Sequence, residues 1–133
     1  MEKLHDLSYI LPIIIGLSFA IVFLQSGIDK VIDRKGNLDW LKGHFKDSIL
    51  KSTVSLNLTI ITVLEIIAGL ISLGGVIYYL VSGSDFWIEQ GLILSMITLM
   101  MLLFGQRVAK DYEGAKTIVI YLALAFVSSL ILM

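Results

Sequence analysis

Apolar and polar positions fall into long blocks along this chain. Four blocks are almost wholly apolar: about residues 7–27, continuing helically to about 32, then 56–80, 86–105 and 115–133. At about 1.5 Å of rise per residue, each has the length a helix needs to cross roughly 30 Å of hydrocarbon. Backbone groups in lipid must be bonded within their own segment, so the pattern predicts helices. Short links make consecutive helices antiparallel neighbours. The predicted architecture is all-α, a membrane four-helix up-down-up-down bundle forming one domain over residues 1–133. Pro12 lies about one turn inside the first helix, where a missing N–H is cheap.

The first link is too long for a turn and has a pattern of its own. Trp40, Leu41, Phe45 and Ile49 recur at helical spacing, with His44 nearby and Lys42, Lys46, Asp47 and Lys51 on other faces. This predicts an amphipathic interfacial helix over about residues 38–51, lying on a leaflet or folded back to cap the bundle. Gly36 and Asn37 mark the turn that starts it. Trp40 and Phe45 read as anchors in the headgroup region. His44 reads as an interfacial histidine rather than a metal ligand, its one companion being the distant His5.

Composition agrees with the block pattern: 57% of residues are hydrophobic, above the ordinary soluble range. The absence of cysteine excludes disulfides, thiolate metal sites and dithiol relays. With no glycine fingerprint for a nucleotide and only two histidines, nothing predicts flavin, haem, an iron–sulfur cluster, a metal or a nucleic acid partner. The partner predicted throughout is the lipid bilayer. The first block lacks a basic n-region and a small-residue cleavage site, so it reads as a retained helix.

Charge matters here by location. Of the ten Lys and Arg residues, Lys3 alone precedes the first block. Lys30, Arg34, Lys35, Lys42, Lys46 and Lys51 lie at the first link, and Arg107, Lys110 and Lys116 at the third. The positive-inside bias places links one and three in the cytoplasm and both termini outside a bacterial cytoplasmic membrane.

The helices carry legible packing faces. Gly16, Ala20 and Gly27 make a small-residue groove on the first. On the second, Thr62, Glu65, Gly69, Ser72 and Val76 follow three- and four-residue steps and are predicted to face the other helices. Met96, Met100 and Met101 on the third read as core filler.

Glu65 is the one residue without a surface explanation. A charge at that depth costs on the order of 3 kcal/mol or more, so it requires a partner or a wet cavity. Gln25, Asp29 and Lys30 end the first helix on the same side of the membrane, and Gln106 and Arg107 end the third. Lys30 and Arg107 are long enough to reach the carboxylate from the interface. Convergence of these six predicts a polar pocket with apolar walls, suited to a small apolar ligand with a polar head. Each flanking residue also has an ordinary reading: Lys30 and Arg107 as topology determinants, Asp29 as a solvated neighbour, Gln106 as a helix-end cap. Glu65 itself also has the reading of a staple between helices.

These residues resemble a known family. Gly27-Ile28-Asp29-Lys30 is similar to a Gly-x-x-Lys signature, and Glu65, Gly69 and Gly74 to a Glu-x3-Gly-x4-Gly pattern, of the DoxX/DoxD-like membrane proteins. The segment from Phe104 to Ala115 is also similar to small bacterial members. The resemblance covers nearly the whole chain, with one departure: no Arg stands between Leu7 and Gly16, where members often carry one. It implies a membrane partner of redox or sulfur-handling proteins, in the manner of a thiosulfate:quinone oxidoreductase subunit. A quinone headgroup held by Glu65 and Lys30 is then the implied ligand, and the chain a non-catalytic or co-catalytic subunit with no catalytic residue of its own. Two other readings stand beside it: a small proton-coupled transporter using Glu65, and a membrane scaffold whose polar cluster is structural only.

Overall fold

A computed structural model describes residues 6–133. Lys3 and His5, which entered the reading of charge and metal ligation, lie outside the described residues. The described chain is helical throughout, with α1 (Leu7–Ile32), α2 (Arg34–His44), α3 (Val54–Ser82), α4 (Phe86–Val108) and α5 (Tyr112–Leu132). A single 3-10 turn, Lys51–Thr53, leads into α3. α1, α3 with its leading turn, α4 and α5 are each long and apolar enough to cross a membrane. Large apolar side chains such as Leu70, Ile77, Phe126 and Leu130 face outward on these helices, which suits a lipid environment.

Local chemistry sets the helix ends. The Asp6 carboxylate accepts from Ser8 Oγ at 2.7 Å and from the Ser8 backbone N–H at 3.0 Å, starting α1. Those two hydrogen bonds, the hydroxyl's first, hold the Asp6 carboxyl below its usual range. α1 then runs unbroken past Pro12 to Ile32. α3 ends at Gly83, whose φ of 78° is left-handed and whose N–H returns to Tyr79 O at 2.8 Å.

α2 begins earlier and is shorter than the spacing of its aromatics predicts. Asp33 caps it, accepting from Gly36 N at 3.2 Å, while Asn37 Nδ2 donates back to Asp33 O at 2.8 Å. Gly36 and Asn37 therefore lie within the first turn instead of before it. A Cβ at position 36 would stand 2.5 Å from Asp33 Oδ2, so glycine makes room for the capping carboxylate. After His44 the helix stops, and the chain turns from Phe45 to Leu50, leaving Ile49 80% exposed and outside any apolar stripe. Arg34 pins the start of α2 to α3, donating to Thr59 Oγ1 at 2.9 Å and Ser55 Oγ at 3.3 Å.

α3 is the central helix, with α1 and α4 as its main neighbours and α5 packed on α4. The predicted stripe is buried at Thr62, Glu65, Gly69, Ser72 and Val76. Small residues set the helix spacing. A Cβ on Gly69 would meet Leu24 Cγ at 2.6 Å, and one on Gly75 would meet Ile88 N at 2.6 Å. Gly74, part of the quoted motif, faces open space instead. The buried hydroxyls of Thr62, Ser95 and Thr98 donate to carbonyls of their own helices, at Leu58, Gly91 and Leu94. They fill space between helices without bonding across it.

Candidate functional site: an apolar cavity beside a buried lysine–glutamate pair

The buried face of α1 carries Gly16, Ala20, Phe23 and Gly27. A Cβ on Gly27 would stand 2.7 Å from Ile66 Cγ1 and 3.4 Å from Glu65 Cβ, so α1 passes directly over Glu65. One three-residue step further on the same face brings Lys30 to the carboxylate. Lys30 Nζ lies 2.9 Å from Glu65 Oε1 and donates to Ser26 Oγ at 2.7 Å. The lysine side chain keeps 19% of its surface exposed, the glutamate 2%.

At that distance the contact is an ion pair between a part-exposed ammonium and a buried carboxylate, and Coulomb attraction is strong there. A buried pair of this kind is not a source of net stability over apolar packing, yet breaking it leaves an uncompensated charge.

Lys30 also lines a cavity of about 480 Å³. Its walls are Leu58 and Ile61 of α3, Met100, Met101 and Gly105 of α4, and Leu41 and Phe45 from the α2 segment, among others. Lys30 is the only charged side chain on that wall, with Asn57 and Gln106 as its polar companions. Such a space falls in the range of small-molecule sites, roughly 300–1,000 Å³. Phe45 belongs to the cavity wall, while Trp40 is 61% exposed. Met100 and Met101 line the space too and are 53% and 40% exposed, so they are not core filler; Met96 packs on the core.

Of the six site residues read from sequence, Lys30 and Glu65 meet and Gln106 joins the cavity. Gln25 and Asp29 are exposed on another face of α1. Residues 29 and 30 point about 100° apart on a helix, so α1 cannot turn both inward. Arg107 is exposed, with its guanidinium carbon 4.7 Å from the centre of the Tyr112 ring, and among the described residues it makes no ion pair.

A second cluster escaped the sequence reading. His44 Nε2 stands 3.2 Å from Gln106 Oε1 and 3.4 Å from Asp111 Oδ2, and its ring stacks on Trp40 at 4.5 Å. Asp111 also caps α5 through Gly114 N at 2.9 Å. This cluster ties the end of α2 to the α4–α5 corner and so holds Phe45 over the cavity. The signal for it was Asp111 at a helix start, read earlier only within a family-like segment.

No family model matches the chain, and no curated protein or solved structure is significantly similar to it.

Proposed function

We propose that this chain is a DoxX-like integral membrane protein that holds a quinone- or lipid-like ligand in the cavity beside Lys30 and Glu65. The finer architecture in this reading is an up-down-up-down bundle, with α2 lying at the inner leaflet. The sorting of basic residues supports links one and three in the cytoplasm and both termini outside. The single observation that carries the ligand reading is the cavity itself: about 480 Å³, walled mostly by apolar side chains, with Lys30, Asn57 and Gln106 as its polar lining. That is the form of a site for an apolar body with a hydrogen-bond-accepting head.

In this reading the chain is a non-catalytic or co-catalytic subunit, with electrons supplied by a redox or sulfur-handling partner. Pairing Glu65 with Lys30 at 2.9 Å disfavours the transporter alternative for cations, because the site is already occupied by a cation of the chain itself. The scaffold alternative draws on the same pair but leaves the cavity without a role.

The test is binding of a soluble quinone analogue to purified protein in nanodiscs. Lys30→Ala, which removes the ammonium, and Met101→Trp, which fills the cavity from an exposed position, are each expected to weaken binding at least about tenfold, near the worth of one charged hydrogen bond. Unchanged affinity in both variants removes the ligand reading.

A further inference from the structure

The cavity beside Lys30 has a covered end and an open side, and the exposure of its lining residues tells them apart. Leu41, Phe45 and Leu50, which the α2 segment contributes, are all half-buried, as are Lys30, Asn57 and Gln106. The exposed lining residues are Ile60 of α3, at 38%, and Met100, Met101 and Phe104 of α4, at 53%, 40% and 58%. A residue that both lines the space and lies on the outer surface marks its rim. The rim therefore falls on two helices that are long and apolar enough to cross a membrane. Ile60 stands roughly 9 Å along α3 from Val54, and Met100 roughly 12 Å along α4 from Val108. In a bilayer, an opening at that depth meets acyl chains and not water. Resting on the ligand reading above, we infer that the cavity is filled sideways from the bilayer, between α3 and α4, by a long-chain amphiphile whose uncharged polar head goes to Lys30 while its tail stays among the lipid chains.

The polar lining sets the head. Lys30 has its counter-ion in Glu65 at 2.9 Å, and no other lining residue is charged, so the wall offers no net charge. A charged head would carry an unpaired charge into an apolar space, which is costly. An uncharged head carries none. An ammonium has three donors, and Ser26 Oγ at 2.7 Å and Glu65 Oε1 at 2.9 Å account for two. A hydroxyl or carbonyl oxygen on the head answers the third.

The rim suits the tail. Met100 and Phe104 are one turn apart on a single face of α4, so they extend the apolar wall outward in a line. Thioether side chains adapt to the shape laid against them, which fits a flexible chain. At the covered end, His44 meets Gln106 at 3.2 Å and Asp111 at 3.4 Å, and Arg34 donates to Thr59 Oγ1 at 2.9 Å. These contacts fasten the α2 segment across the end of the space. The fold thus covers the end of the cavity and leaves its side apolar and open.

The experiment places the full chain in phosphatidylcholine nanodiscs with hexadecanol that carries a photoactivatable diazirine in its tail. Peptide mass spectrometry after illumination reads where the tail lies. Expected are saturable adducts on Ile60 and Phe104, suppressed by plain hexadecanol and not by hexadecyl sulfate at the same low mole fraction. Met100→Trp narrows the opening from an exposed position and should slow the onset of that labelling at least about tenfold. Phe126→Trp, at an exposed position on α5, should leave the onset unchanged. Labelling that never saturates, or that falls equally on Phe126, is bulk lipid against the helices and overturns the inference. An unchanged onset in Met100→Trp overturns the side entry, and equal competition by hexadecyl sulfate overturns the uncharged head. The soluble quinone analogue separates these failures from that of the ligand reading. If it binds while the alcohol labels nothing saturably, the cavity is filled from water and the inference falls alone; if neither probe binds, the cavity reading itself falls.

Discussion

Around Ser72 and Gly75, α3 meets α4 backbone to backbone, whereas around Leu58 and Ile61 the same two helices line a cavity. At the tight end, a Cβ on Gly75 would lie 2.7 Å from the Trp87 carbonyl carbon, and one on Gly91 would lie 3.0 Å from Ser72 Cα and collide with its hydroxyl. At the hollow end, Met101, Leu102 and Gly105 face Leu58 and Ile61 across the space, and Phe45 closes part of it from outside the helix pair. The α1–α3 seam is close at Gly16, Gly69 and Gly27. Close glycine contacts thus mark one end of the α3–α4 pair, and a cavity with Lys30 on its wall marks the other.

The largest expected effect tests the open end. Lys30→Met leaves Glu65, 1% exposed, without its counter-ion, at a cost of about 3 kcal/mol. Adding Glu65→Leu to that variant removes the stranded carboxylate and is expected to recover most of the loss. Thermal unfolding in mild detergent reads both. A double variant no more stable than Lys30→Met would mean that the lysine packs rather than neutralises.

The closed end is tested by two adjacent glycines. Gly75→Leu drives side-chain atoms into the backbone of Ile88 and Trp87, and about 2–3 kcal/mol of stability is expected to be lost. Gly74→Leu, one residue away with nothing within 4 Å, should change stability by less than about 0.5 kcal/mol. Equal effects at both positions would show that helix spacing here does not depend on close backbone approach. Gly75→Leu should also leave the cavity's ligand affinity intact in whatever protein folds, because the two ends are separate.

These contrasts were unevenly legible in the sequence. The α3 stripe through Glu65 could be read because three- and four-residue steps of small and polar residues stand out against Ile and Leu. Lys30 was legible as a reachable base, and the α1 groove of Gly16, Ala20 and Gly27, extended by three residues, singles it out over Gln25 and Asp29. Arg107 was not distinguishable from Lys30 by position alone. Its outward turn depends on Tyr112, which only the α4–α5 corner brings under the guanidinium. The cavity was illegible in its detail, because an empty space has no residue of its own. Its wall depends on how Phe45 and Leu41 fold back, and that follows from His44 meeting Gln106 and Asp111 across a long sequence separation.

The smallest expected effect concerns that corner at the hollow end. α4 closes with Lys110 N–H donating to Arg107 O at 3.1 Å and Asp111 N–H to Gln106 O at 2.9 Å, the pattern that favours glycine between them. Lys110 holds the left-handed position instead, at φ 61°, the only non-glycine to do so among the described residues. A side chain costs about 1–2 kcal/mol there, and glycine's greater freedom in the unfolded chain returns part of it. Lys110→Gly is therefore expected to raise stability by somewhat under about 1 kcal/mol, while Lys110→Ala, which keeps the Cβ, gives no gain. Ligand affinity separates two uses of the strained turn. If Lys110→Gly leaves it unchanged, the turn only joins two helices, as the geometry predicts. A loss of affinity alongside the gain in stability would mean that the strained backbone itself aims Gln106 and Asp111 at His44, and that the corner shapes the hollow end.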